Sequence, residues 1–138
     1  MNKKVLVVHC HSDMCEIIDI CLREGLKLNG STEIKRECDG AKAAEFLQDN
    51  INELMLVVVG ERLYGNTVEN IVRLAKALGE VEGRKIPCVI VAEAQPSEGK
   101  KWADRYEYLR TVGDAVVPGV NLSKGLTPAV REAIAACN

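Results

Sequence analysis

Strand-like and helix-like segments alternate five times along this sequence, and no other feature narrows the possible folds as far. "KVLVV" (Lys4 to Val8), "LMLVVV" (Leu54 to Val59) and "PCVIVA" (Pro87 to Ala92) are short, unbroken apolar runs rich in β-branched residues. Such runs suit strands covered on both faces, as in a parallel sheet. "STEIKREC" (Ser31 to Cys38) is more polar and alternates, as an edge strand does, while "DAVVP" (Asp114 to Pro118) reads as a short fifth strand stopped by Pro118 and Gly119.

The intervening segments carry helical periodicity. "DMCEIIDICLREGLKL" sets Met14, Ile17, Ile18 and Cys21 on one face, and Asp13 followed by Glu16 has the spacing of a capping box. "AKAAEFLQDNI" carries Ala43, Phe46, Leu47 and Ile51 together, and "NTVENIVRLAKAL" carries Val68, Ile71, Leu74 and Leu78. "EGKKWADRYEYLRTV" and "TPAVREAIAAC" complete five helices, with Pro128 expected in the first turn of the last. The alternation predicts an open, doubly wound α/β sheet whose ligand crevice lies beyond the C-terminal ends of the strands.

At 138 residues the chain has the length of one domain, and residues 1–138 are expected to form one. A formal net charge of -2 leaves none of the basic excess that a nucleic-acid surface requires. No apolar run approaches the ~18 residues needed to span a bilayer, and the N-terminal segment is too polar after Val8 for a signal peptide. A cytoplasmic location is therefore expected, with no membrane partner. In a reducing compartment the six cysteines are expected to be mostly free thiols, Cys21 and Cys88 acting as small buried hydrophobes. There is no CxxC pair, no GxGxxG and no GxxxxGK[ST], which removes the strong zinc, thioredoxin and nucleotide signatures.

Several strings resemble the receiver domain of bacterial response regulators. "KVLVV" is similar to that family's first strand, "CDGAKAAEFL" to the end of its second strand and its second helix, "RKIPCVIVAEA" to its fourth strand, and "TVGDAVVPG" to its fifth. The resemblance covers nearly the whole chain. It implies a flavodoxin-like sheet of five parallel strands in the order 2-1-3-4-5 with five helices, and a role in two-component signal transduction.

The same resemblance implies that the family's chemistry is lost. Receiver domains move a phosphoryl group onto an aspartate ending strand three, with Mg²⁺ held by that aspartate and by an acidic pair after strand one. Mg²⁺ demands hard oxygen ligands. Here the acidic pair falls on His9 and Cys10, and the acceptor position falls on Gly60. The hydroxyl position ending strand four falls on Ala92. The lysine of strand five falls on Pro118, or on Val117 one residue earlier, and no lysine occurs between Lys101 and Lys124. Ala115 stands at or near the aromatic switch position. No Mg²⁺ is expected. Glu61 or Glu93 offers at most a standing negative charge, against the ordinary reading of solvated loop glutamates.

Where the Mg²⁺ ligands are missing, "HCHSDMC" (His9 to Cys15) is rich in metal-binding and thiol groups. In extended backbone consecutive side chains alternate, so His9, Cys10 and His11 cannot converge without a bend. Cys15, in the first turn of a helix, is the expected reactive thiol. Two chemistries are open: Zn²⁺ bound by His9 or His11 with Cys10 and Cys15, or a reversible Cys10–Cys15 disulfide. The plain alternative makes His9 and Cys10 occupants of a disused pocket, with His11 and Cys15 at the surface. Sugar-phosphotransferase B domains also place a cysteine after strand one, but the loop here has no glycine and only Ser12 as a hydroxyl.

The expected function is that of an atypical, phosphorylation-independent regulatory domain rather than an enzyme. Its partner, another protein or a second copy of the chain, is expected to meet the face formed by helix four, strand five and helix five. Trp102 and Tyr106 are one turn apart on helix four and either pack on the sheet or, together with Tyr108, which points elsewhere from that pair, anchor that partner. Metal or thiol sensing by the His9 to Cys15 loop is the alternative.

Overall fold

The apolar runs pair as a parallel sheet in a computed structural model that describes residues 4–138. The strands are β1 (Lys4–Val8), β2 (Glu33–Glu37), β3 (Leu54–Gly60), β4 (Cys88–Ala92) and β5 (Ala115–Pro118), in the order β2-β1-β3-β4-β5. This is the expected flavodoxin-like, receiver-like topology. Helices α1 (Ser12–Gly25) and α5 (Leu122–Ala136) cover one face, while α2 (Gly40–Asn50), α3 (Val68–Val81) and α4 (Lys100–Val112) cover the other.

Alternation along each strand divides the core in two. Leu6, Val8, Val57, Val59, Ile90 and Val116 meet α2, α3 and α4, whereas Val5, Val7, Val58, Val89, Val91 and Val117 meet α1 and α5. Each such side chain contributes up to about 1.5–3 kcal/mol by leaving water, which is why the three central strands are apolar on both faces. β2 is an edge strand with no buried residue, and four of its five residues are charged. β5 is the other edge, and there Tyr106 Oη donates to the Val116 carbonyl at 2.9 Å.

α1 differs from the expectation. Its buried residues are Cys15, Ile18, Asp19 and Leu22, and Ile17 is 45% exposed. The helix is thus rotated about one residue from the predicted face. Asp19 tolerates burial because Arg23 Nε lies 3.0 Å from Oδ1 and Arg36 Nε, from β2, lies 2.7 Å from Oδ2. The expected capping box is absent: His11 is the residue before the first turn, and no side chain caps it.

α5 starts at Leu122, five residues before the segment predicted for it, so Pro128 lies inside the helix and not in its first turn. Pro128 has no N–H to give the Lys124 carbonyl. In α2 the Asp39 carboxylate accepts from the amides of Ala41 (2.7 Å) and Lys42 (3.2 Å), which fixes the helix start. Among the described residues no helix is long and apolar enough to cross a membrane.

Candidate functional site

The carboxyl ends of β1, β3, β4 and β5 lie at one edge of the sheet. Val8 pairs with Val59, Gly60 with Val91 and Ala92 with Pro118. That register sets His9 level with Gly60. His9, Cys10, Gly60, Ala92 and Pro118 therefore occupy the strand ends assigned to them from sequence, Gly60 as the last residue of β3 itself. Gly60 and Ala92 are buried, and His9, Cys10 and Pro118 are half-buried.

Gly60 leaves room that another side chain takes up. A Cβ built on it would sit 2.8 Å from His9 Cδ2, 3.2 Å from Cγ and 3.3 Å from Nε2. The imidazole lies in the space that a side chain at position 60 would enter. His9 is held there by its own local contacts: Nδ1 accepts the His11 amide at 3.1 Å, and the His9 amide donates to the Glu37 carbonyl at 3.1 Å. Acceptance at Nδ1 requires a neutral ring with its proton on Nε2. Burial pushes the His9 pKa below the usual imidazole value, with the nearby His11 adding to the effect.

The loop "HCHSDMC" does not assemble into a cluster. His9 and His11 rings are 5.7 Å apart, and Cys10 Sγ is 3.9 Å from His9 Nδ1. Cys15, expected at the surface as the reactive thiol, is 1% exposed. Its Sγ points inward, toward the His9 carbonyl (3.8 Å) and the Glu37 carbonyl (3.9 Å). Burial pushes its pKa up to about 11, so desolvation overrides the helix N-terminus, and the expectation of thiolate character is corrected. No group of three or more His, Cys, Asp or Glu side chains placed to hold a metal occurs among the described residues. All six cysteines are free, Cys88 fully buried and Cys21 half-buried.

The residue after Gly60 organises the rest of this edge. The Glu61 amide donates to the Val91 carbonyl at 2.9 Å. Its carboxylate accepts the Glu93 amide on Oε1 at 2.9 Å and Arg105 Nε on Oε2 at 2.7 Å. Arg62 reaches Glu93 at 3.1 Å. With Lys101 and Trp102 these residues line a cleft of 520 Å³ between the β3–α3 connection, the β4–α4 connection and α4. The ordinary expectation for Glu61 is a solvated loop charge; in the structure its side chain is 11% exposed and both oxygens are bonded.

The aromatics of α4 diverge. Tyr106 packs on the sheet core and bonds to β5, whereas Trp102 lines the Glu61 cleft with Lys101 Nζ 5.2 Å from its ring centre. Tyr108 turns toward α3, donating to Glu69 Oε2 at 3.0 Å, and the Arg105 guanidinium stands 5.2 Å from its ring centre. Ala115 is buried at the start of β5.

No protein-family model matches the sequence, and no curated protein matches it. Solved structures do. The chain is similar to a response regulator receiver domain protein from Clostridium thermocellum, at 14% identity and a TM-score of 0.71, covering 96% of this chain and 94% of that one. The receiver domain of the histidine kinase CKI1 from Arabidopsis thaliana, complexed with Mg²⁺ and BeF₃⁻, matches at 17% identity and a TM-score of 0.71, covering 96% and 90%. The signal receiver domain of the putative response regulator NarL from Mycobacterium tuberculosis matches at 15% identity and a TM-score of 0.59, covering 99% and 95%. At these identities the shared property is the fold.

Proposed function

We propose that this chain is a receiver-like regulatory domain of two-component-type signalling that does not run the aspartyl phosphotransfer cycle and acts through protein contacts. The observation that carries this reading is the pairing of Gly60 with His9. The strand end that would present a phosphoacceptor has no side chain, and an imidazole fills the space beside it. Nothing acidic stands at His9 or Cys10 to hold Mg²⁺, and Ala92 and Pro118 supply neither a hydroxyl nor an ammonium group. No Mg²⁺ and no catalytic residue belong to this reading.

The partner is another protein or a second copy of the chain, meeting the face of α4, β5 and α5. A groove of 280 Å³ crosses that face, lined by Tyr106, Arg110, Val116, Pro118, Gly125 and Glu132 among others. Such a groove supports docking of side chains from a partner, with Tyr106 already committed to β5. The metal- or thiol-sensing alternative is weakened by Cys15, whose thiol is buried and faces the His9 and Glu37 carbonyls.

Incubation of the purified chain with acetyl phosphate or beryllofluoride and Mg²⁺, read by intact mass and by ¹⁹F resonance, tests the proposal. No adduct and no bound fluoride are expected. A stoichiometric adduct would overturn it. Zinc analysis and thiol counting on protein prepared without chelators address the alternative, which needs either bound Zn²⁺ that is lost when Cys10 and Cys15 are replaced or a disulfide that forms and reverses.

A further inference from the structure

We infer that Glu61 and Arg105 form a standing latch that fixes the β4–α4 connection and α4 in one position, so that the geometry of the α4 face is set without any covalent event. The inference rests on the functional reading above only for why α4 matters; the latch itself stands on contacts. One carboxylate joins three segments. Glu61 belongs to the turn after β3, Glu93 to the turn after β4 and Arg105 to the second turn of α4.

Both oxygens are used, one by a backbone amide and one by a guanidinium, and the side chain is only 11% exposed. A charge-assisted bond in that setting is stronger than an ordinary surface pair. Arg105 is confined from its other side by the Tyr108 ring, and Tyr108 is tied in turn to Glu69 on α3. α4 is thus braced at two points, against the β3–α3 turn and against α3.

The need for such a brace lies in the sequence of the β4–α4 connection. Gly99, with φ of 138°, precedes α4, no side chain caps the helix start, and its first turn carries Lys100 and Lys101 where acids would suit the dipole. The first turn of α4 is therefore poorly held by local chemistry. The Gln95–Glu98 capping box holds the turn before Gly99, and the long-range bond from Glu61 supplies a constraint that the first turn of α4 lacks.

Trp102 is the only tryptophan in the chain and lines the same cleft as Glu61, so it reports the latch directly. The test compares the full chain with Glu61→Gln, Arg105→Gln and the double variant. The readouts are amide hydrogen exchange and acrylamide quenching of Trp102. Either single change is expected to raise exchange across residues 93–105 about tenfold, the ratio that loss of a charged hydrogen bond implies, and to increase quenching. The strands β1 and β3 should keep their protection. The double variant should add nothing to Arg105→Gln, which loses the Glu61 bond and the Tyr108 contact together. Asp104→Asn, which breaks only the exposed Lys100–Asp104 pair, should leave both signals unchanged.

Unchanged exchange across residues 93–105 in the single variants, or additive effects in the double one, would overturn the latch while leaving the functional reading intact. A phosphoryl adduct would do the reverse.

Discussion

Replacing Gly60 by alanine tests whether the space beside β3 is truly filled. Elsewhere in a strand this change is expected to help, because glycine in a strand interior costs roughly 0.5–1 kcal/mol relative to alanine. Here the new Cβ would lie 2.8 Å from an aromatic carbon of His9, closer than carbon atoms approach without one of them moving. The ring cannot yield cheaply, since Nδ1 holds the His11 amide and the His9 amide is bonded to Glu37. Overpacking of this kind costs about 1–3 kcal/mol. With mid-range values for the overpacking cost and the backbone gain, Gly60→Ala should destabilise the chain by about 1 kcal/mol, or roughly 3–5 °C in Tm for a chain of this size. Urea denaturation with an unchanged m value is the assay.

The decisive comparison repeats the change in a His9→Ala background, where the obstruction is gone. Gly60→Ala should then be neutral or stabilising, giving a coupling energy of about 1–3 kcal/mol. A neutral Gly60→Ala in the parent, or an equal cost in both backgrounds, would refute the reasoning. Gly60→Asp should be costlier still and should accept no phosphoryl group, since no acidic pair accompanies it.

His9 also makes stability depend on pH. Its folded pKa is lowered below the unfolded value of about 6.5 by burial, so the unfolded state binds the proton more readily. The contribution of neutral His9 is fully present above the unfolded pKa and is lost as pH falls through the folded one; His9→Gln should flatten this part of a pH series of denaturation curves. Cys15 and Cys88 should resist a thiol reagent until the chain is unfolded, while Cys10 reacts in the native state, as peptide mapping of timed labelling would show; prompt native labelling of Cys15 would contradict its burial. Asp19→Ala should cost about 1–3 kcal/mol, because two charge-assisted bonds from Arg23 and Arg36 are lost together, whereas Asp104→Ala on the surface should cost under about 0.5 kcal/mol by the same denaturation assay.

A sheet covered on both faces was legible because the runs at Val5, Val57 and Val89 have one physical solution, burial on both sides, whereas the strand order came only from the resemblance to receiver domains. α1 was less so. Ile17 and Ile18 are equal in hydropathy, and choosing between the two faces requires Arg36, seventeen residues beyond Asp19 and on another element. Local spacing also favoured Pro128 as a helix start, which the packing of Leu122 and Leu126 on the sheet overrides.

At the strand ends, sequence marked which residues stand there but not what they do to one another. Gly60 reads as a deletion until His9 is seen beside it. The Glu61 carboxylate reads as solvated until Arg105, forty-four residues away, is placed against it. Cys15 differs from its expectation for a related reason: the helix dipole is visible in sequence, and the depth of the thiol is not.

The bond from Tyr106 to the Val116 carbonyl has a consequence for assembly. β5 is the outermost strand, and an open strand edge invites another chain to pair with it and extend the sheet. On this edge one acceptor is already occupied by a phenol, and Pro118, which ends the strand, has no amide to donate. Strand-by-strand growth is blocked at two of four residues. Any protein that binds here must therefore recognise the shape and charge of the side chains, and selectivity at this face is open to change one surface residue at a time without disturbing the sheet.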